Sequence, residues 1–190
     1  MSTQVLTDSE RKQLLALARQ CVELAADGQP LPTLQLDEYP SVFQAEGASF
    51  VTLTKNGRLR GCIGTLTAYQ PFVQDVCEHA AAAATQDYRF PKVQPAEVAQ
   101  LHIEISRLTA PEPLLYDDGS QLPDLLQPGE DGVVLQDGAR RATFLPQVWD
   151  QLPDADSFLS HLCNKMGASS DLWRKKKLDV EIYHVEEFEE

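Results

Sequence analysis

The chain has 190 residues, 43% of them apolar, which is enough for one domain to bury a core without added cross-links. Its 29 acidic residues outnumber its 16 basic residues and give a net charge of −13, so the average surface repels phosphate backbones and anionic lipid. The sequence shows neither a secretory signal nor an apolar stretch near the roughly 20 residues that span a bilayer. We therefore expect a cytoplasmic protein that binds neither nucleic acid nor membranes.

The hydrophobic pattern alternates between helical and strand periods along the chain. The predicted elements are, in order, a helix opened by a capping box at Thr7 and Glu10, a strand over 49–55, a return strand over 58–66, a helix starting at Pro71, a strand over 101–108, strands over 132–136 and 139–145, a helix over 158–166 and a closing strand over 178–188. Asn56-Gly57 and Asp137-Gly138 are predicted to form tight hairpin turns. A long acidic loop separates the strand over 101–108 from the second hairpin.

The two predicted hairpins resemble each other. Overlaying their turns places Arg60 on Arg141, Gly61 on Ala142, Cys62 on Thr143 and Ile63 on Phe144. Turn residues recur for generic reasons, so chance similarity is the alternative. The repeat predicts an α+β fold in which two related β-hairpin-plus-helix halves share a curved, mostly antiparallel sheet with surrounding helices. We expect a single domain over 1–190 and, if it has two subdomains, a junction near 92–110.

The four cysteines form no CxxC or CxxxC pair, so we expect free thiols and no structural zinc site. Three of them continue apolar helical stripes and should be buried, namely Cys21, Cys77 and Cys163. Cys62 lies in a strand instead, and alternation places Arg60 on its face. A nearby cation favours the thiolate, the form in which cysteine acts as a nucleophile.

Cys62 is the candidate nucleophile of the chain. Gly61 and Gly64 on either side would let a ligand or another backbone approach closely. Two alternatives are an anion-binding site without chemistry and a buried cysteine beside strand glycines that mark a bulge or tight crossing. Pairing across a two-residue turn would put Val51 opposite Cys62, which gives the face of the thiol a mixed character.

Two other places carry candidate site residues. Glu104 shares one face of its predicted strand with His102 and Ser106, and this face is either a polar wall of a site or a solvated sheet surface. Arg89 follows the second predicted helix and precedes a proline that keeps the chain extended. Its guanidinium could clamp a carboxylate or phosphate, or it could tie the helix end through Asp87.

Several motifs, in this order, resemble those of the AMMECR-domain family. They are the stretches 59–65 (LRGCIGT), 87–91 (DYRFP), 104–106 (EIS), 131–132 (DG) and 138–146 (GARRATFLP). The family is named after the Alport syndrome, midface hypoplasia and elliptocytosis chromosomal region. Its bacterial branch is called AmmeMemoRadiSam system protein A, after neighbouring genes for a Memo-like protein and a radical SAM enzyme. The resemblance implies an α+β fold with two related β-rich halves and no known reaction. The chain departs from the family pattern at Arg107 and in the basic run 174–177.

Three functional hypotheses remain open. In the first, the chain is a binding or adaptor protein that works with Memo-like and radical SAM partners, or holds a small anionic ligand, in a cleft around the RGCIG motif. The binding residues would be Arg60, Gly61, Gly64, Arg89, Arg141 and Thr143. In the second, it is an enzyme with Cys62 as nucleophile, Arg60 favouring the thiolate, and Glu104 or a histidine assisting proton transfer. In the third, the motif is structural. No cofactor motif is evident.

Overall fold

The computed structural model describes residues 5–190, which form a mixture of helices and strands. The α-helices are α1 (Asp8–Ala26), α2 (Ser41–Gln44), α3 (Phe72–Thr85), α4 (Leu122–Leu125), α5 (Ala155–Lys165) and α6 (Leu172–Lys175). The strands are β1 (Ala48–Lys55), β2 (Arg58–Gly64), β3 (Leu101–Leu108), β4 (Glu112–Pro113), β5 (Gly132–Asp137), β6 (Arg140–Phe144), β7 (Asp179–Tyr183) and β8 (Val185–Glu189). The α+β class is confirmed. No helix within 5–190 combines the length and apolar character needed to cross a bilayer.

The strands form two four-stranded sheets, ordered β2-β1-β3-β8 and β4-β7-β5-β6, so the prediction of one shared sheet is wrong. Each hairpin has its own partner strand, since β1 pairs with β3 and β5 pairs with β7, both antiparallel. Each also has its own apolar core. The chain accordingly divides into a first unit, up to Thr109 with Glu186–Glu190, and a second unit, Ala110–Val185.

In the first unit, α1 and α3 pack against each other, and α3 packs on the β1-β2 hairpin. The capping box at the start of α1 is confirmed, because Thr7 Oγ1 accepts a hydrogen bond from the Glu10 N–H and the Glu10 carboxylate accepts one from the Thr7 N–H. Along the helix–helix contact, Cys21 and Cys77 form a disulfide with their Cα atoms 5.7 Å apart.

The disulfide corrects the expectation of four free thiols. The apolar stripes of α1 and α3 face each other, and this brings together two cysteines that are 56 residues apart in sequence. Their predicted burial is confirmed, as is that of Cys163, whereas Cys62 is partly exposed. Cys62 and Cys163 are the two cysteines without a disulfide.

The first hairpin turns at Asn56-Gly57 as predicted, with φ of 52° and 72°, and Lys55 pairs with Arg58. A β-bulge between Leu53 and Thr54 then shifts the register, because the return strand contains one extra residue, Arg60. Cys62 therefore lies opposite Thr52, and the expected pairing with Val51 is wrong.

The second hairpin turns one residue later than predicted, at Gly138-Ala139, because Asp137 pairs with Arg140. Gly138 has a φ of 61°, which suits the first position of a two-residue turn. No register shift interrupts this hairpin, and Thr143 lies opposite Val134.

Counting paired positions from each turn relates the two hairpins. Thr52↔Cys62 corresponds to Val134↔Thr143, and Leu53↔Gly61 corresponds to Leu135↔Ala142. The predicted match of Cys62 with Thr143 therefore holds, because the two residues occupy the same paired position counted from their turns. Arg60 is the bulge residue and has no counterpart, so its match with Arg141 is wrong.

The core of the second unit contains two buried tryptophans. Trp149 stacks on Phe158 with ring centroids 3.7 Å apart, and its indole N–H donates to the carbonyl of Asp131. Trp173 is 1% exposed and donates to the Ser160 hydroxyl. These contacts join the segment 146–150, α5 and α6 into one core beneath the second hairpin.

Candidate functional site

Cys62 begins a row of polar side chains across the first sheet. Thr52 lies opposite Cys62 on one side and opposite Glu104 on the other. The Thr52 hydroxyl donates a hydrogen bond to the Cys62 sulfur at 3.3 Å. Two strand spacings separate the backbones of Cys62 and Glu104, about 10 Å. The structure thus groups these residues on one sheet face, with Thr52 rather than Glu104 touching the thiol.

Glu104 lies in a partly desolvated, acidic environment. Burial raises the pKa of its carboxyl, the nearby Glu189 carboxylate raises it further, and His102 lowers it. The His102 imidazole lies 2.9 Å from the Glu189 carboxylate. Ser106, the third residue of the predicted polar wall, is buried. The face around Glu104 therefore favours cationic or hydrogen-bond-donating groups over anions.

Asp87 and Arg89 are attached to the outer edge of β2 at Cys62. The Cys62 N–H donates to Asp87 Oδ2 at 2.9 Å, and Arg89 Nη2 donates to the Cys62 carbonyl at 3.4 Å. Arg89 also binds both carboxylate oxygens of Asp87, at 2.9 and 2.6 Å. The hydrogen bond from Arg89 is the largest of the effects that hold the pKa of Asp87 well below its usual range. The 87–91 segment is thereby fixed on the strand that carries Cys62.

These contacts bring together two motifs that are distant in the sequence, since Cys62 and Asp87 are 25 residues apart. The sequence offered two roles for Arg89, and the tie through Asp87 is the one observed. Asp87 itself was identified only as that partner. Its bond to the Cys62 amide depends on the position of the α3 C-terminus relative to β2, which local sequence does not report.

Arg60 forms an ion pair with Glu97. Its Nε and Nη2 donate to the two carboxylate oxygens of Glu97, at 2.8 and 3.2 Å. Lys55 lies 3.6 Å from the same carboxylate, and this environment, with the Arg60 hydrogen bond foremost, lowers the pKa of Glu97. Because Arg60 occupies the bulge, strand alternation does not govern where its side chain points. The charge expected to stabilise a Cys62 thiolate is neutralised by Glu97.

Gly61 and Gly64 make room for other parts of the chain. A Cβ on Gly61 would collide with the carbonyl oxygen of Ala83 in α3, and one on Gly64 would collide with the carbonyl oxygen of Ser49 in β1. Of the two approaches that the glycines allowed, a ligand or another backbone, the structure uses the second at both positions.

Arg141 and Thr143 belong to the second unit. Arg141 pairs with Glu181 at 3.1 Å on an exposed part of the sheet. The Thr143 hydroxyl donates to the Val133 carbonyl at 2.8 Å and lies 2.9 Å from the Tyr183 hydroxyl. Burial raises the pKa of Tyr183 to about 12. These bonds fix Thr143 to β5 and β7 within the second sheet.

Tyr88 is an exposed residue of the candidate site that sequence reasoning missed. It is 95% exposed although its neighbours Asp87 and Arg89 are both bound to the β2 edge. Arg89 also lies over the Phe90 ring, 5.5 Å from its centroid. A signal was present, since Tyr88 lies within a family motif between two residues that suggested an ion pair.

The protein belongs to the α+β class and has two antiparallel sheets. The 87–91 segment is attached to the edge of one of these sheets. The family model described as AMMECR1 matches residues 15–188, and the chain therefore belongs to the AMMECR1 family. This confirms the resemblance of its motifs.

Similar proteins span nearly the same length. A protein of Methanothermobacter thermautotrophicus is 36% identical over 94% of this chain and 96% of its own length. One of Methanosarcina mazei is 36% identical over 96% and 91%. The crystal structure of an uncharacterized protein from Pyrococcus horikoshii matches with a TM-score of 0.86 and 30% identity, covering 97% of this chain and 93% of that one.

Proposed function

We propose that the chain is a non-catalytic binding protein that recognises a protein partner through the surface formed by Cys62, Tyr88 and Arg89. The observation that carries the proposal is Tyr88, which is 95% exposed in a segment anchored on both sides. A tyrosine in a mobile loop would lose conformational entropy on binding, and an anchored one loses less.

The residue types at this surface support the proposal. Tyrosine and arginine are enriched among the residues that dominate protein–protein binding energy. The Arg89 side chain is 45% exposed, so one part of its guanidinium can meet a partner while Asp87 holds the other. A planar guanidinium in such a position stacks and donates hydrogen bonds at fixed angles.

The charge balance supports binding over nucleophilic catalysis. A nucleophilic cysteine is activated by unneutralised positive charge or by an adjacent base. Here Arg60 is paired with Glu97 and Arg89 with Asp87. The same pairing disfavours a small anionic ligand, because each arginine already has a carboxylate.

The partners to test first are a Memo-like protein and a radical SAM protein from the same source. The motif resemblance to the AmmeMemoRadiSam branch suggests them. They fit an adaptor with no reaction of its own.

The test is a titration of each purified candidate partner against the full chain. We expect Tyr88→Ala to weaken binding by about tenfold or more, as for a central interface aromatic. Tyr69→Ala is the matched control, since Tyr69 is a 58% exposed tyrosine of the same unit outside the motifs, and it should bind like the wild type. Absence of binding to both candidates, or equal losses for the two variants, would reject the proposal.

A cysteine-dependent enzyme is the second candidate function. The hydrogen bond from Thr52 to the sulfur of a partly exposed Cys62 favours it, because a donor at sulfur stabilises the thiolate. Alkylation of Cys62 by iodoacetamide at pH 7 should then be about tenfold faster than that of N-acetylcysteine, and Thr52→Val should slow it. A rate at or below that of the free thiol, unchanged by Thr52→Val, would remove this candidate.

A further inference from the structure

We infer that the second unit carries a docking groove for a cationic amphipathic helix of a partner protein. The groove has a volume of about 620 Å³ and is lined by Leu115, Tyr116, Asp117, Asp124, Leu125 and Lys177, among others. We call it the Leu115 groove. Its lining residues all belong to 110–185, so it shares no residue with the surface around Tyr88.

The apolar part of the Leu115 groove is exposed. Leu115 is 87% exposed and Leu125 is 41% exposed. Leu115 also lines a neighbouring hollow of about 400 Å³, so the side chain stands between two cavities. Single exposed leucines are common on protein surfaces, but two that line one concave surface resemble an interaction site.

The walls of the groove are fixed before any partner binds. The Tyr116 hydroxyl donates to the Leu178 carbonyl and accepts from the Leu178 N–H, both at 2.8 Å. On the other side, the Gln121 side-chain oxygen accepts from the N–H groups of Asp117 and Asp118, at 2.8 and 3.3 Å. A preorganised groove reduces the entropy cost of binding.

The charge of the groove selects a cationic occupant. Asp117 and Asp124 are exposed, and neither carboxylate forms an ion pair with any residue in 5–190. Lys177 lies 5.4 Å from the Tyr116 ring centroid. In the neighbouring hollow, Asp179 adds one more acidic side chain, while the Glu181 carboxylate is already paired with Arg141. Apolar side chains flanked by lysine or arginine would complement this surface, whereas an acidic segment would be repelled.

The sheet edge beside the groove favours a helix over an added strand. The edge strand β4 contains two residues, and its Pro113 has no N–H for a new strand to use. The occupant must therefore bind through side chains. An amphipathic helix does so by placing leucines at helical spacing into an apolar groove.

The test uses the full chain and a synthetic labelled peptide. The probe is a peptide of about 14 residues with leucines on one helical face and lysines elsewhere. A peptide of the same composition with alternating leucines, and one with glutamate in place of lysine, serve as controls. Fluorescence anisotropy should show binding of the helical cationic peptide, at least about fivefold weaker binding of the alternating one, and none of the acidic one.

Four variants locate the binding. We expect Leu115→Gln to weaken it by about tenfold and Asp117→Asn/Asp124→Asn to weaken it by about fivefold at low salt, with less effect at high salt. Val5→Gln and Glu130→Gln, at an exposed valine and an exposed carboxylate outside the groove, should have no effect.

Three outcomes would overturn the inference. Equal binding by Leu115→Gln and the wild type would show general attraction to an acidic protein, and absence of binding would show that the groove does not accept such a helix. A dimer of the chain alone that Leu115→Gln dissociates, measured by sedimentation, would assign the groove to a second copy.

Discussion

At the scale of single residues, the surface around Cys62 depends on Asp87. The Asp87 carboxylate accepts hydrogen bonds from the Cys62 backbone and from Arg89, and Asp87 is only 6% exposed. We expect Asp87→Asn to lower the free energy of unfolding at pH 7 by about 2 kcal/mol, because Arg89 loses its charged partner and hydrogen bonds to charged groups are the strong ones. Urea unfolding measures the change, and Asp37→Asn, at an exposed carboxyl, is the control that should leave stability unaltered.

The same substitution should change the pH dependence of stability. The pKa of Asp87 is lowered in the folded state, so its contribution is complete above the unfolded value of about 3.9. It is lost as the pH falls below that value through the folded pKa. The difference in unfolding free energy between wild type and Asp87→Asn should therefore shrink between about pH 4 and pH 2. A difference that grows with acidity would contradict the assignment.

Gly61 is a second residue on which the site depends. A side chain there would collide with the carbonyl oxygen of Ala83, so α3 would have to move away from β2. We expect Gly61→Ala to cost about 3 kcal/mol in unfolding free energy. Gly138→Ala is the comparison variant, because its Cβ would meet open space and only the positive φ opposes the substitution. We expect it to lower the unfolding free energy by about 1 kcal/mol. Similar costs for the two variants would show that the β2–α3 contact adapts easily.

At the scale of elements, the disulfide between Cys21 and Cys77 joins α1 to α3. It closes a loop of 56 residues, for which the chain-entropy model gives about 4 kcal/mol. We expect reductant to lower the urea midpoint of the Cys62→Ser variant, which removes the partly exposed thiol. In a Cys21→Ser/Cys77→Ser double variant the midpoint should be low already and insensitive to reductant. An effect of reductant that survives in the double variant would have another source.

The elements differ in how far the sequence predicts them. Hairpin turns and helix starts follow from local chemistry, and Asn56-Gly57 and the Thr7 capping box were found where expected. A bulge was one of the alternatives that the strand glycines offered, but its position at Arg60 was not predicted, because local sequence does not show how Gly61 meets α3. The disulfide was missed for a related reason, since an apolar helical stripe shows that a cysteine is buried without showing which helix it faces.

Only part of the candidate site could be predicted from the sequence, because some of its contacts form only through the tertiary fold. Cys62 and Glu104 do share one sheet face, and Arg89 does reach the RGCIG strand. Their ion-pair partners were the unpredicted part, because Glu97 lies 37 residues from Arg60 and meets it only through the tertiary fold. A charge beside a cysteine in sequence is therefore weak evidence of a charge beside its sulfur.

At the scale of the whole molecule, the first unit is completed by the last residues of the chain. The Glu190 N–H donates to the Ile103 carbonyl, the Glu186 carboxylate binds Arg11, and Arg19 pairs with Glu190. We expect removal of 186–190 to speed amide hydrogen exchange in α1 and β3 while β5 and β7 keep their protection. Phe188→Ala is the milder variant, because it truncates one buried side chain. We expect it to lower the unfolding free energy of the first unit alone by about 3 kcal/mol. Equal losses in both units would mean that they unfold together.

The positions of the tryptophans give the two units different optical properties. Both tryptophans of the chain, Trp149 and Trp173, are buried in the second unit. Intrinsic tryptophan emission therefore monitors the second unit alone, while circular dichroism records helices of both. Tyr88→Trp would add a single solvent-exposed indole to the first unit, red-shifted relative to the buried pair. Its emission would move to shorter wavelength when a partner covers it. A single fluorescence sample could then report binding at the first unit and unfolding of the second through their different emission wavelengths.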